Sequence, residues 1–343
     1  MSVKLDGCSP WVFANADGRG YYRTSYGAEG LKALGEAVSN DQLTAVEEAS
    51  LIEDVWALMR LNQESIDSYL SLAGNFAEGN LSPALSSVVR HINFVSDRLV
   101  DDSTRPAFES WVRRTLRPIL STTGWDPSPQ ENPSRQRIRS DVVYTLGYAG
   151  RDPEVLAEAR RRADRYLAGG APIHPSLALT VLQLAAINGD ATLYEQYVAR
   201  MADAGSRTEQ GHFRNSLSYF TDPALQRRTL EYATSARVRS HDVPDIISKL
   251  MERRWAAATT WDHVKRNWAA LEQALGMFQG LPQIVRSTRF VCDAAARNDV
   301  ERFLNQHPIR GTGRSALRAI ETIDRCIATK NAQSKSLAQF LGK

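Results

Sequence analysis

The sequence is short of almost everything that announces chemistry. Of its 343 residues, three are cysteine: Cys8, Cys292 and Cys326. None has C-x-x-C spacing, which excludes a zinc ribbon or a dithiol redox motif. Cys292 and Cys326 sit among apolar neighbours and read as small core residues. The odd count argues against a disulfide scaffold. The six histidines, His91, His174, His212, His241, His263 and His307, are scattered. No two lie four apart and none precedes a Glu, so the H-E-x-x-H metal helix is absent. A G-x-S-x-G nucleophile elbow and a G-x-x-x-x-G-K-S phosphate loop are absent as well.

Charge of one sign is also lacking. Basic and acidic residues number 42 and 39, for a formal net charge of +3. That balance argues against nucleic acid as the main partner. The one dense basic run, "RRRADR" at 160–165, reads as a solvated helix face. No stretch of about 18 apolar residues occurs, so no membrane span is expected. The first residues, "MSVKLDGCSPWV", lack the apolar core of a signal peptide. The expectation is a soluble protein whose compartment stays open.

What is present is helical punctuation. Thr44 to Glu47 forms a capping box at the head of "LTAVEEASLIEDVWALMRL". Leu51, Val55, Leu58 and Met59 recur there at helical spacing. Asp152-Pro153 and Asp222-Pro223 each pair an N-cap with Pro at the first helical position. Asp242 opens "DVPDIISKLMERR". Gly124, Pro127, Pro129 and Pro133 mark "STTGWDPSPQENPSRQ", 121–136, as a crossover loop pinned by Trp125. From Asp152 onward the helices are short and each offers a single apolar face. They must stack on neighbours to bury it, as in an α-solenoid. A plain irregular helical bundle is the alternative.

The beginning departs from this pattern. Trp11 to Asn15 and Tyr21 to Tyr26 read as two strands joined through a glycine turn at Gly18 and Gly20. A lone hairpin is marginal in water, so it needs a sheet or a cover. The aromatic pairs Tyr21-Tyr22 and Trp261/Trp268 read as core rather than as ligand platforms.

"WVFANADGRGYYRTSYG" resembles the segment that ends the β-sandwich of M1-family zinc aminopeptidases and leads into their C-terminal helical domain. Trp11, Asn15, Gly20, Tyr21, Tyr22, Arg23 and Tyr26 match that pattern. "LTAVEEASLIEDVWAL" is similar to the family's first long helix through Leu43, Leu51, Asp54, Ala57 and Leu58. The family's usual Arg is replaced by Glu48 or Ala49. "LGYAGRDPEVLAEARRRADRYL", "FTDPALQRRTLEYATSARVRSHD", "WDHVKRNWAAL" and "RSALRAIETIDRCI" resemble later segments, in order.

The resemblance implies an all-α fold, an irregular α-α superhelix of HEAT or armadillo type, preceded by a β-hairpin remnant. The expected division is 1–27 for the hairpin and 28–343 for the helical domain, in two lobes with a crossover near 121–136. It implies a domain with no catalytic or metal residue of its own, closing over a zinc site carried upstream. Its partners would be the upstream catalytic and β-sandwich domains and a peptide substrate. A peptide carboxylate is best met by Arg, and Arg90, Arg214 and Arg239 are the candidates. A stand-alone solenoid that binds peptide or protein without catalysis is the competing expectation.

Overall fold

A computed structural model describes residues 9–78, 81–235, 237–275, 280–308 and 313–342. Among them the secondary structure is helical throughout, with seventeen α-helices and three short 3-10 turns. Contacts divide the chain into two compact units. The first comprises residues 1–151 and 331–343, the second 152–330.

The first unit holds α1 (Ala28–Ser39), α2 (Ala45–Arg60), α3 (Ile66–Glu78), α4 (Leu85–Arg98), α5 (Arg105–Thr123) and α6 (Pro133–Tyr148). α1 and α5 both pack on α3, and α6 packs on α4 and α5. The core is the apolar stripe of each helix: Leu51, Ile52 and Met59 of α2, Tyr69 and Leu70 of α3, and Phe108 and Leu116 of α5 are all fully buried. α2 begins with the capping box read from sequence. Thr44 Oγ1 accepts from the Glu47 amide, and Glu47 Oε2 accepts from the Thr44 amide at 2.9 Å.

Poor helix formers sit inside several of these helices, among them Gly74 and Pro118. Gly74 lies inside α3, where Gly costs about 1 kcal/mol relative to Ala. Pro118 lies inside α5, where it removes the amide owed to the Arg114 carbonyl at a cost of about 3 kcal/mol.

The proline-rich stretch joins α5 to α6 within the first unit, and a buried arginine holds it. Arg139 of α6 is 2% exposed. Its guanidinium donates to the Thr123 carbonyl at 2.9 Å, to the Gly124 carbonyl at 3.0 Å and to Glu131. It thereby satisfies carbonyls that the end of α5 leaves unpaired.

A second buried side chain acts in the same way from far along the chain. Gln333 accepts from the Ile66 amide at 2.9 Å and donates to the carbonyls of Glu64 and Met59 at 3.0 and 3.3 Å. One carboxamide thus serves the end of α2 and the start of α3 together.

The hairpin expected at the beginning is not there. Residues 9–27 contain no strand, only a 3-10 turn at Ala16–Gly18, with Asp17 and Gly18 at φ of 55° and 66°. The reason lies in how the two arms pair. The Asn15 side chain accepts from the Gly20 amide at 2.7 Å and donates to the Gly20 carbonyl at 3.2 Å. A carboxamide therefore stands where a facing strand's peptide would be. The Tyr22 hydroxyl donates to the Ala14 carbonyl at 2.7 Å, and the Tyr26 hydroxyl accepts from the Ala14 amide at 3.2 Å. Side chains have replaced the ladder. The segment is tied to α2 through Asp54, which accepts from the Thr24 amide and from Arg23. Tyr21 is fully exposed and Tyr22 is 55% exposed, so this pair is not core.

The second unit runs through α7 (Pro153–Leu167), α8 (Pro175–Ile187), α9 (Ala191–Ala202), α10 (Arg207–Ser216), α11 (Pro223–Ala233) and α12 (Val243–Glu252). It continues with α13 (Ala257–Arg266), α14 (Trp268–Leu275), α15 (Gly280–Ser287), α16 (Ala294–Gln306) and α17 (Gly313–Leu341), whose residues from Asn331 belong to the first unit. Asp152 caps α7 and Asp222 caps α11, each followed by Pro at the first helical position. Trp261 and Trp268 are each 5% exposed, in a core built with Ile247, Leu281 and Ile323.

Cys292 and Cys326 form a disulfide, with Cα atoms 5.4 Å apart. They are not the free core thiols that their apolar neighbours suggested. They meet close to where Arg297 of α16 pairs with Asp324 of α17 at 2.8 Å. Nothing in a separation of 34 residues signals that meeting. Cys8 lies outside the described residues.

Candidate functional site

The three candidate arginines divide between two places. Arg214, on α10, and Arg239, between α11 and α12, line one cavity of about 290 Å³ in the second unit. Arg237 lines it too and had not been singled out. Val198, Met201 and Ile246 form its apolar side, and Tyr232 adds a hydroxyl.

The turn that carries Arg239 is fixed by the Asp242 amide, which donates to the Arg239 carbonyl at 2.8 Å. Asp242 heads α12, as its position predicts, but its side chain does not cap the helix. It accepts instead from Arg214 Nη1 at 2.5 Å, with Asp245 at 3.9 Å from Nη2. The Arg214 Nε–H is buried and has no hydrogen-bond partner. Arg237 and Arg239 are exposed, and no ion pair involves either among the described residues. Burial pushes the Tyr232 hydroxyl up, while the Arg214 charge pulls the other way, so it stays a proton donor at neutral pH. The cavity thus sets three cationic groups, with the neutral donors Tyr232 and Gln210, against Asp242. That surplus suits a carboxylate held by a charge-assisted pair.

Arg90 is elsewhere, on α4 in the first unit, beside a separate cavity of about 300 Å³. Its guanidinium is engaged, donating to Glu53 at 2.7 Å and to Ser87 at 2.9 Å. Its charge also bears on His91. That imidazole is stacked on Trp56 with centroids 4.1 Å apart, and its Nδ1 lies 2.8 Å from the Tyr69 hydroxyl. Burial, helped by the charges of Arg90 and Arg60, pushes His91 down to about 3. It is a neutral packing group at physiological pH.

The basic run 160–165 is a paired surface. Arg160 meets Asp164 at 2.9 Å, and Arg161 and Arg162 each meet Glu158 at 2.7 Å.

The other histidines do not converge on one another. His174 caps α8, His307 Nδ1 lies 2.9 Å from the Phe303 carbonyl, and His263 Nε2 lies 3.4 Å from Thr234 Oγ1. Among the described residues no three His, Cys, Asp or Glu side chains are gathered to hold a metal. Such a donor set does not fit a catalytic zinc. No helix among them is long and apolar enough to cross a membrane.

A family model described as "ERAP1-like C-terminal domain" matches residues 11–325. The chain belongs to that family. Curated relatives of this ERAP1-like domain include Aminopeptidase M1 of Arabidopsis thaliana, 24% identical and aligned with 78% of this chain. Aminopeptidase 2 of Candida albicans is 22% identical and aligned with 99% of it. Aminopeptidase Ey of Gallus gallus is 22% identical and aligned with 77% of it. The aligned region spans 32%, 37% and 28% of those proteins, so the chain covers about a third of the relatives it matches. The family match begins at Trp11 and so takes in the segment whose strands are missing.

Proposed function

We propose that this chain is the non-catalytic C-terminal domain of an M1-type zinc aminopeptidase. In this reading it closes over the active site and shapes the peptide cavity, while the rest of the enzyme holds zinc and removes N-terminal residues from peptides. Excluding water and fixing the peptide are the services a closing element gives. The observation that carries the reading is the family match from 11 to 325, in a chain without H-E-x-x-H whose relatives are aminopeptidases about three times longer.

Within that reading, Arg214 and Arg239, joined by Arg237, meet the free carboxylate of the peptide. The unpaired Nε of Arg214 and the two unpaired guanidinia support this. Arg90 has the weaker case, because it would first have to leave Glu53.

Two measurements test the proposal. The chain alone is expected to carry no stoichiometric zinc and to release nothing from aminoacyl fluorogenic substrates. Stoichiometric zinc with turnover would overturn it. In the complete enzyme, the double variant Arg214→Gln, Arg239→Gln is expected to lower kcat/KM about tenfold or more for peptides with a free carboxylate. Amidated peptides and single-residue substrates should be unaffected. An equal loss on all three would remove the carboxylate assignment.

A further inference from the structure

The largest described cavity of the first unit, about 550 Å³, lies between α3 and α5, away from every arginine considered above. Its volume falls in the usual range for a small-molecule site. Gly74 and Pro118, both poor helix formers inside their helices, line it. A Cβ at Gly74 would meet nothing within 4 Å, so no neighbour demands a glycine there. What its absence preserves is open space. Pro118 leaves the Arg114 carbonyl without its helical amide, and Arg114 also lines the cavity.

The charges form the second observation. Glu78 stands at the end of α3 and Arg114 on α5, and both face the cavity. They do not meet, and neither has another ion-pair partner among the described residues. Glu78 has only a long contact with the Ser39 hydroxyl at 3.5 Å. The other cation of the lining, Arg135, is already held by Glu131 at 3.3 Å. Leu81 and Ile119 supply an apolar wall.

We infer that this cavity binds a zwitterion of the α-amino-acid type with an apolar side chain. Arg114 takes the carboxylate. Glu78 takes the ammonium, and the side chain lies over Gly74 against Leu81 and Ile119. A free amino acid and a short peptide share this chemistry. On the aminopeptidase reading such a molecule is what the reaction releases, but the inference does not depend on that reading, because its readout is binding to this chain.

The test is ligand-observed NMR on the 343-residue chain carrying Arg214→Gln and Arg239→Gln, which disable the carboxylate cavity of the second unit, with L-leucine, leucyl-leucine, N-acetyl-leucine and leucinamide. L-Leucine is expected to bind with a Kd of about 1 mM or tighter. The two blocked analogues, each missing one charge, should bind at least about tenfold more weakly. Leucine binding as tightly as leucyl-leucine assigns a free amino acid; a dipeptide about tenfold tighter assigns a short peptide, and either result supports the zwitterion. Gly74→Leu fills the space and should abolish binding without lowering the melting temperature. Arg114→Gln, at an exposed position, should weaken it about tenfold and keeps the test valid if the first variant misfolds. The inference fails if nothing binds at about 10 mM, if blocked analogues bind as well as leucine, or if neither substitution changes Kd.

Discussion

The second unit contains two arginine-rich regions with opposite arrangements. The run at 160–165 is the denser in sequence, yet Arg160, Arg161 and Arg162 are each matched by Glu158 or Asp164 on the same helix. The cluster at 214, 237 and 239 is dispersed over 26 positions, yet it converges on one cavity and leaves donors unpaired. Density along the chain sets how much charge is present. Pairing in space sets how much is available to a ligand.

Arginine has two further uses in the first unit, and each marks an end of the comparison. Arg139 is fully paired and buried. Replacing it with Met leaves Glu131 and the Thr123 carbonyl without it. The expected cost is about 3–5 kcal/mol in urea unfolding, the largest effect of any arginine here. A loss under about 1 kcal/mol would mean that buried pairing has no special weight in this fold.

Arg90 and Arg60 add a smaller repulsion to the burial that chiefly keeps His91 unprotonated. The imidazole's folded value of about 3 lies below the ordinary 6.5. Between those values the unfolded chain binds more protons, so stability is present above about pH 6.5 and is lost as pH falls toward 3. Going from pH 7 to 4.5, His91 should account for about 2–3 kcal/mol of lost stability. His91→Phe keeps the stack on Trp56 and should flatten that part of the pH profile. An unchanged slope in the variant would assign acid sensitivity to other groups.

At the cavity, Asp242→Asn removes the carboxylate that competes for Arg214. It should tighten binding of a carboxylate probe such as acetyl-leucine about three- to tenfold, read by calorimetry on the chain. Weaker binding would mean that Asp242 positions Arg214 rather than competing for it. The smallest effect is expected at the dense run. Arg161→Gln should change stability by no more than about 0.5 kcal/mol and leave that affinity unaltered. A larger change would reverse the contrast between the two regions.

What could be read from the sequence was local. Thr44, Asp152 and Asp222 cap helices with partners two or three residues away, so a short window contains both halves of each interaction. Strands are different, because their stability depends on a partner that a window cannot show. Trp11 to Tyr26 has a strand's composition, but Asn15, Tyr22 and Tyr26 spend their side chains on the backbone that a ladder would use. The Cys292–Cys326 bond and the role of Arg139 were invisible for the same reason. The candidate site was half legible. Two of three named arginines share a cavity, while Arg237 was missed although it stands two residues before Arg239. Alternation in an irregular turn points side chains by tertiary packing, and no helical or strand period reports it.

Gln333 has a consequence for the order in which the molecule is made. It serves the junction of α2 and α3 from 267 residues downstream of Ile66. A ribosome adding roughly 5–20 residues per second needs roughly 15–50 s to cover that distance. Throughout that interval the Ile66 amide and the Glu64 carbonyl lack this partner and must rely on water. The first unit to emerge is therefore the last to be finished, and any pause in synthesis before Gln333 holds it open at that joint.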